Sequence, residues 1–221
     1  MNTDSRSRPE SPPARPRAPR VAARPRRLRE RFRAETRDAI LAAAEVALAE
    51  HGARGARMEA IAQQAGIAVG TLYNYFADRQ QLIEALFELR RRELVEALDR
   101  ALAASEAEPF EARLEAFLAA GLAHFQAHRA FITLALHEEL RSGQGSRWPM
   151  QLELRARAER LIAAGLEAGL LRPEDRAAYP HMLIGLLRGL IAAALEGDVA
   201  VPRAALAPAV RCFLRGALRS P

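Results

Sequence analysis

From Leu28 onward one pattern repeats along the chain: apolar residues three and four apart, interrupted by glycine or proline. That spacing lines up apolar side chains on one side of a helix. β-Branched residues are scarce, and the good helix formers Ala, Leu, Glu and Arg dominate. No strand alternation and no repeat of fixed period is visible. The chain therefore reads as all-α, and its 221 residues suffice for one large domain or two small ones with a real core.

Punctuation sets the expected helices. Ile40, Ala43, Ala44 and Ala47 make a stripe on a first helix over about 31–50, with Gly52 as its stop. Met58, Ile61, Ala62 and Ala65 define a short second helix stopped by Gly66, and a third covers about 68–76. The run DRQQ, Asp78 to Gln81, has the form of a capping box and opens a long fourth helix over about 78–104. Five more are expected over about 109–127, 130–141, 149–168, 173–197 and 203–218, with Pro180 kinking or restarting the eighth.

Charge is uneven. Residues 1–33 hold eleven Arg against Asp4, Glu10 and Glu30, a net of +8, whereas the other 188 residues hold 22 Arg and 24 acids. Residues 1–27 also contain six Pro and almost no large apolar side chain, so they cannot offset the entropy of ordering. A disordered basic arm is expected there, either a solubilising tail or an arm suited to a polyanion such as DNA phosphate. One cysteine, Cys212, cannot form an internal disulfide and fits a reducing compartment, with burial as its default role. The start of the chain lacks the apolar segment of a secretory signal, and no uncharged apolar run approaches the ~18 residues of a membrane span. A cytoplasmic protein without membrane association is expected.

Residues 61–76 read IAQQAGIAVGTLYNYF. On a helical wheel Val69, Leu72 and Phe76 share one face and can pack on Met58, Ile61 and Ala65. Gly70, Thr71, Asn74 and, at the border, Tyr73 take the other, with Tyr75 on the opposite border. Two short helices joined by a glycine turn form a helix-turn-helix, whose second helix enters the DNA major groove. Gly70 lets the backbone near a phosphate; Thr71, Tyr73 and Tyr75 offer hydroxyls; Asn74 can pair with an adenine edge. Arg79 can reach a backbone phosphate, and Arg57 opens the second helix, where free amides favour an anion. The same two helices also occur in helical proteins that bind no DNA.

The run AILAAAEVALAEHGARGARMEAIAQQAGIAVGTLYNYFADRQQLIEALF, residues 39–87, resembles the DNA-binding domain of the TetR family of bacterial transcription regulators. The resemblance rests on the glycine after the first helix, on IAQQAGIAVGTLYNYF and on DRQQL, where the family usually has Lys in place of Arg79. It implies a homodimer, a three-helix DNA-binding head and a helical body that binds a small ligand. Residues 28–77 would be the head and 78–221 the body. Gly70, Thr71, Tyr73, Asn74 and Tyr75 would face the groove, with Arg79 on phosphate. The chain departs from the family at Ala56 and Arg57, where Thr or Ser usually caps the second helix, and at Ala68 and Val69, which open the recognition helix without hydroxyls. Arg57 and the basic arm are expected to compensate.

In the body, Phe117, His124, Phe125, Phe131, His137, Trp148 and Met150 stand out among Leu and Ala, and are candidate walls of a pocket for a lipophilic or aromatic effector. Core filling accounts for each of them equally simply. His124 and His128 lie one turn apart, and His137, Glu138 and Glu139 could complete a metal set. His128 sits beside Arg129 at a helix end with no cysteine near, so no metal is expected. No catalytic set or cofactor motif stands out, and an enzyme is not expected. The last two helices, about 180–219, are apolar on more than one face, with Gly185 and Gly189 four apart; the resemblance makes them the expected dimer surface, and closing the monomer core is the alternative. The reading is a DNA-binding repressor released from a palindromic operator by its effector. The alternatives are an activator, a regulator whose effector is another protein, or a helical binding or structural protein without DNA activity.

Overall fold

The computed structural model describes residues 24–131, 149–196 and 203–217. Most of the expected arm and most of the expected sixth helix lie outside the described residues. The chain divides into two compact units that part between Asp38 and Ala39. The first contributes the opening of helix α1, which spans Arg24–Gly55. It starts earlier than expected, so residues 24–27, assigned to the arm, are helical. Pro25 falls in the first turn, where a missing N–H breaks no helical bond.

In the second unit, Ile40, Leu41, Ala44, Ala47 and Leu48 are buried, which confirms the stripe read from the sequence. The helix breaks where glycine was expected to stop it: Gly52 has φ +66 inside the residues assigned to α1. Helix α2 is Met58–Gln64, α3 Val69–Tyr73, α4 Arg79–Ala104 and α5 Phe110–Ala127. Helix α6 is Pro149–Glu167, α7 Tyr179–Glu196 and α8 Leu206–Ala217, with 3-10 turns at Pro173–Asp175 and Arg203–Ala205. The expected eighth helix is thus a 3-10 turn followed by a true helix from Tyr179. Pro180 restarts the chain in a first turn rather than kinking it. No helix of the described residues is long and apolar enough to cross a membrane.

Helix α5 is the hub, packed against α4, α6, α7 and α8. Close approach to α7 depends on Gly121, because a Cβ there would meet Leu187 Cδ2 at 2.7 Å. Helix α4 turns Leu82, Leu86, Arg90, Leu94 and Leu98 inward, one residue per turn, so a single arginine stands in a leucine stripe. Cys212 is exposed, not buried as its default role implied: Val210, Phe213 and Leu214 take the inner face of α8.

Candidate nucleic-acid interface

Helix α2 buries Met58, Ile61 and Ala62 and ends in a glycine cap. Gly66 adopts φ +66, Ile67 N–H bonds Ala62 O at 3.0 Å, and Gly66 N–H bonds Gln63 O at 3.0 Å. That paired pattern needs the left-handed conformation glycine adopts without strain, and it turns the chain sharply into α3.

Helix α3 is shorter than the expected 68–76. Asn74 is its C-cap, and Tyr75 and Phe76 N–H both return to Leu72 O. The reason is the cap that follows. Asp78 accepts from Gln81 N–H at 2.8 Å, and Gln81 Oε1 accepts from Ala77 N–H at 2.7 Å. This capping box starts α4 at Arg79 and requires extended backbone at Asp78 (φ −153), so α3 cannot run on.

The two faces separate as the wheel predicts. Leu72 and Phe76 are fully buried, each contributing about 2–3 kcal/mol, and Val69 and Tyr75 are half-buried against the same core. Ala68, Gly70, Thr71, Tyr73 and Asn74 are exposed. Arg57, the N-cap of α2, is exposed too. Neither α2 nor α3 receives a side-chain cap. The missing hydroxyls noted at Arg57 and Ala68 therefore leave the leading amides of both helices for an outside acceptor. Arg79 is the exception to the expected role. Its Nε donates to Ala56 O at 3.0 Å, so part of its guanidinium serves the fold.

Residues 40–86 match the family model of bacterial regulatory proteins, tetR family. That stretch is similar to the DNA-binding head of the TetR family. The described residues share the all-α fold of solved TetR-family regulators, and the matched stretch is the part that carries the helix-turn-helix. Similar solved structures extend the likeness beyond the head. A Rhodococcus sp. RHA1 protein of unknown function is 25% identical, with TM-score 0.67 over 83% of this chain and 96% of that one. The fatty acid degradation regulator FadR from Bacillus halodurans is 24% identical, with TM-score 0.67 over 80% and 94%. A TetR-family transcriptional regulator from Haemophilus influenzae is 16% identical, with TM-score 0.63 over 85% and 99%.

Of the expected pocket residues, five lie among the described ones. Phe117, Phe125 and Phe131 are sealed in the core, the last edge-on to Phe87 at 4.5 Å. Met150 is half-buried; His137 and Trp148 lie outside the described residues. A cavity of about 680 Å³ opens elsewhere, between the end of α4, α5 and the start of α8. Its walls are mainly alanine, including Ala101, Ala116 and Ala119, with Glu108, Glu115 and Gln126 as polar groups.

His124 takes part in a different assembly. It is buried at 7% exposure, and its pKa is lowered to about 4, by burial first and then by His128. His128 Nδ1 lies 3.1 Å from Glu45 Oε1, and its Nε2 lies 3.4 Å from Glu93 Oε2. Arg90 donates to both carboxylates, to Glu93 at 2.6 Å and to Glu45 by an ion pair. Glu45, Arg90 and Glu93 were missed in the sequence. The available signal was Arg90 itself, at the centre of the leucine stripe of α4.

Proposed function

We propose that the chain is a dimeric repressor that binds a palindromic operator and is released by a small lipophilic or aromatic effector. The observation that carries the DNA contacts is the division of residues 68–76. Gly70, Thr71, Tyr73 and Asn74 are exposed, while Leu72 and Phe76 are buried beneath them. On this reading residues 28–77 are the reading head, Arg57 and the amides at Ala68–Gly70 hold phosphates, and Asn74 reads a base edge. Residues 78–221 form the effector and dimer body, and the protein works in the cytoplasm.

The alanine-walled cavity supports a small-molecule seat. Helix α7 supports the dimer. Gly185 and Gly189 are exposed with nothing within 4 Å of an added Cβ, beside Met182 at 47% exposure. A two-fold mate there would set two recognition helices about 34–36 Å apart.

A gel shift against the DNA flanking the chain's own gene tests the reading. Asn74→Ala is expected to lose about 1–3 kcal/mol of discrimination at one base pair and to leave other positions unchanged. Arg79→Ala is expected to weaken all sequences alike. A full-length protein that shows no sequence preference, or Asn74→Ala with an unaltered base preference, refutes it.

A further inference from the structure

Where α1, α4 and α5 meet, one imidazole has a carboxylate at each nitrogen. Glu45, from α1, places its oxygens 3.1 and 3.3 Å from Nδ1 of His128. Glu93, from α4, places Oε2 at 3.4 Å from Nε2 of the same ring. A neutral imidazole has one N–H. If Nδ1–H donates to Glu45, Nε2 turns a lone pair toward the Glu93 carboxylate, and two acceptors face one another. A positive species belongs between them, either a proton or a metal ion.

His124 distinguishes the two. Its ring centroid is 4.8 Å from that of His128, and its Nε2 is buried with no hydrogen-bond partner. A proton on His128 leaves that nitrogen orphaned. An ion shared by both rings and Glu93 satisfies all of them, and one donor atom from each of the three residues lies within 4.8 Å of the others.

We propose that Glu93, His124 and His128 bind a divalent first-row transition ion such as Zn²⁺ or Co²⁺. Two imidazoles and one carboxylate are a donor set such ions accept, with a fourth position left for water. Glu45 then acts as the outer carboxylate that fixes the ring through Nδ1–H, the usual arrangement behind a metal-bound histidine. Arg90 neutralises one of the two carboxylates, and one negative charge stays in excess to receive a cation. Because Glu45 belongs to α1 and the ligands to α4 and α5, the ion ties three helices together.

The test uses the full chain, stripped with a chelator and titrated with Co²⁺, followed by visible absorption and by Zn²⁺ competition. One equivalent is expected, with the intense bands of four-coordinate cobalt. Glu93→Gln, His124→Gln and His128→Gln should each weaken binding at least about 100-fold, and Glu45→Gln about 10–100-fold with the spectrum retained. His181→Gln, at an exposed position on α7, should change nothing. No bound cobalt, undiminished affinity in the three ligand variants, or loss on His181→Gln overturns the proposal. Should the variants fail to fold, X-ray absorption of the cobalt-loaded wild type decides. Two imidazoles in the first shell uphold the site; sulfur from Cys212 or oxygen alone overturns it. No DNA enters these measurements, so their outcome is separate from that of the operator tests.

Discussion

Along α4 lie two ionic clusters of unequal completeness. Toward the C-terminal half, Arg157 of α6 donates Nε and Nη2 to the two oxygens of Asp99 at 2.8 and 2.7 Å, and Nη1 to Glu153 at 2.6 Å. Glu153 accepts Arg91 with its other oxygen at 2.6 Å. Every nitrogen of that guanidinium is used, and Asp99 has 48% of its side chain exposed. Half-way along α4, Arg90 serves Glu45 and Glu93, yet its own Nε and the Nε2 of His124 are buried without partners. There Glu45 has only 13% of its side chain exposed. The difference is one of partners. In the first cluster every guanidinium nitrogen finds an acceptor and the cluster is a closed strut between helices; in the second a shortage of partners persists around the nearly buried Glu45.

Breaking the two arginines should reveal that contrast most strongly. Arg90→Ala removes the shared donor of Glu45 and Glu93, the first of them nearly buried, and should cost about 3 kcal/mol in urea unfolding. Arg157→Ala exposes its partners to water and should cost about 1 kcal/mol. Equal losses would abolish the distinction.

The next effect comes from pH. His124 has a folded pKa of about 4 against an ordinary 6.5, so the unfolded chain takes up its proton first. Stability contributed by the neutral ring is complete above about pH 6.5 and declines toward pH 4, by about 2–3 kcal/mol. With a chelator present, His124→Phe should flatten that part of the stability curve; an unchanged slope assigns it to other groups.

The smallest effect belongs to the solvated strut. Arg157 holds the Asp99 carboxyl below its ordinary range, first by hydrogen bonding, so its contribution is present above that range and lost on acidification. Asp99→Asn should cost less than about 1 kcal/mol, and less still as salt rises from about 0.1 to about 1 M. A salt-independent loss would mean the strut is drier than its exposure implies.

Much of the fold was legible because single residues mark its boundaries. Gly52, Gly66, Asp78 and Pro109 each end or open a helix by backbone geometry that no other part of the chain needs to supply. The length of α3 was not legible, since the cap of the following helix sets it. Thr71 and Asn74 could be placed on the exposed face because the period of a helix decides it. The body's site was hidden for another reason. Arg90 and Glu93 lie in FELRRRELVEALDR, which reads as a solvated helix face, and nothing local says that α1 and α5 close over it. The aromatic residues were conspicuous by type, but type does not distinguish a filled core from a lined cavity.

The bond from Arg79 to Ala56 has a mechanical side. It fastens the first residue of α4 to the residue just ahead of the α2 cap. Any tilt of the long helix therefore drags the entry to the motif with it, as a crank turns its shaft instead of slipping past it. Cutting that pin would leave the shaft a looser grip on the motif, held then by the shared core alone.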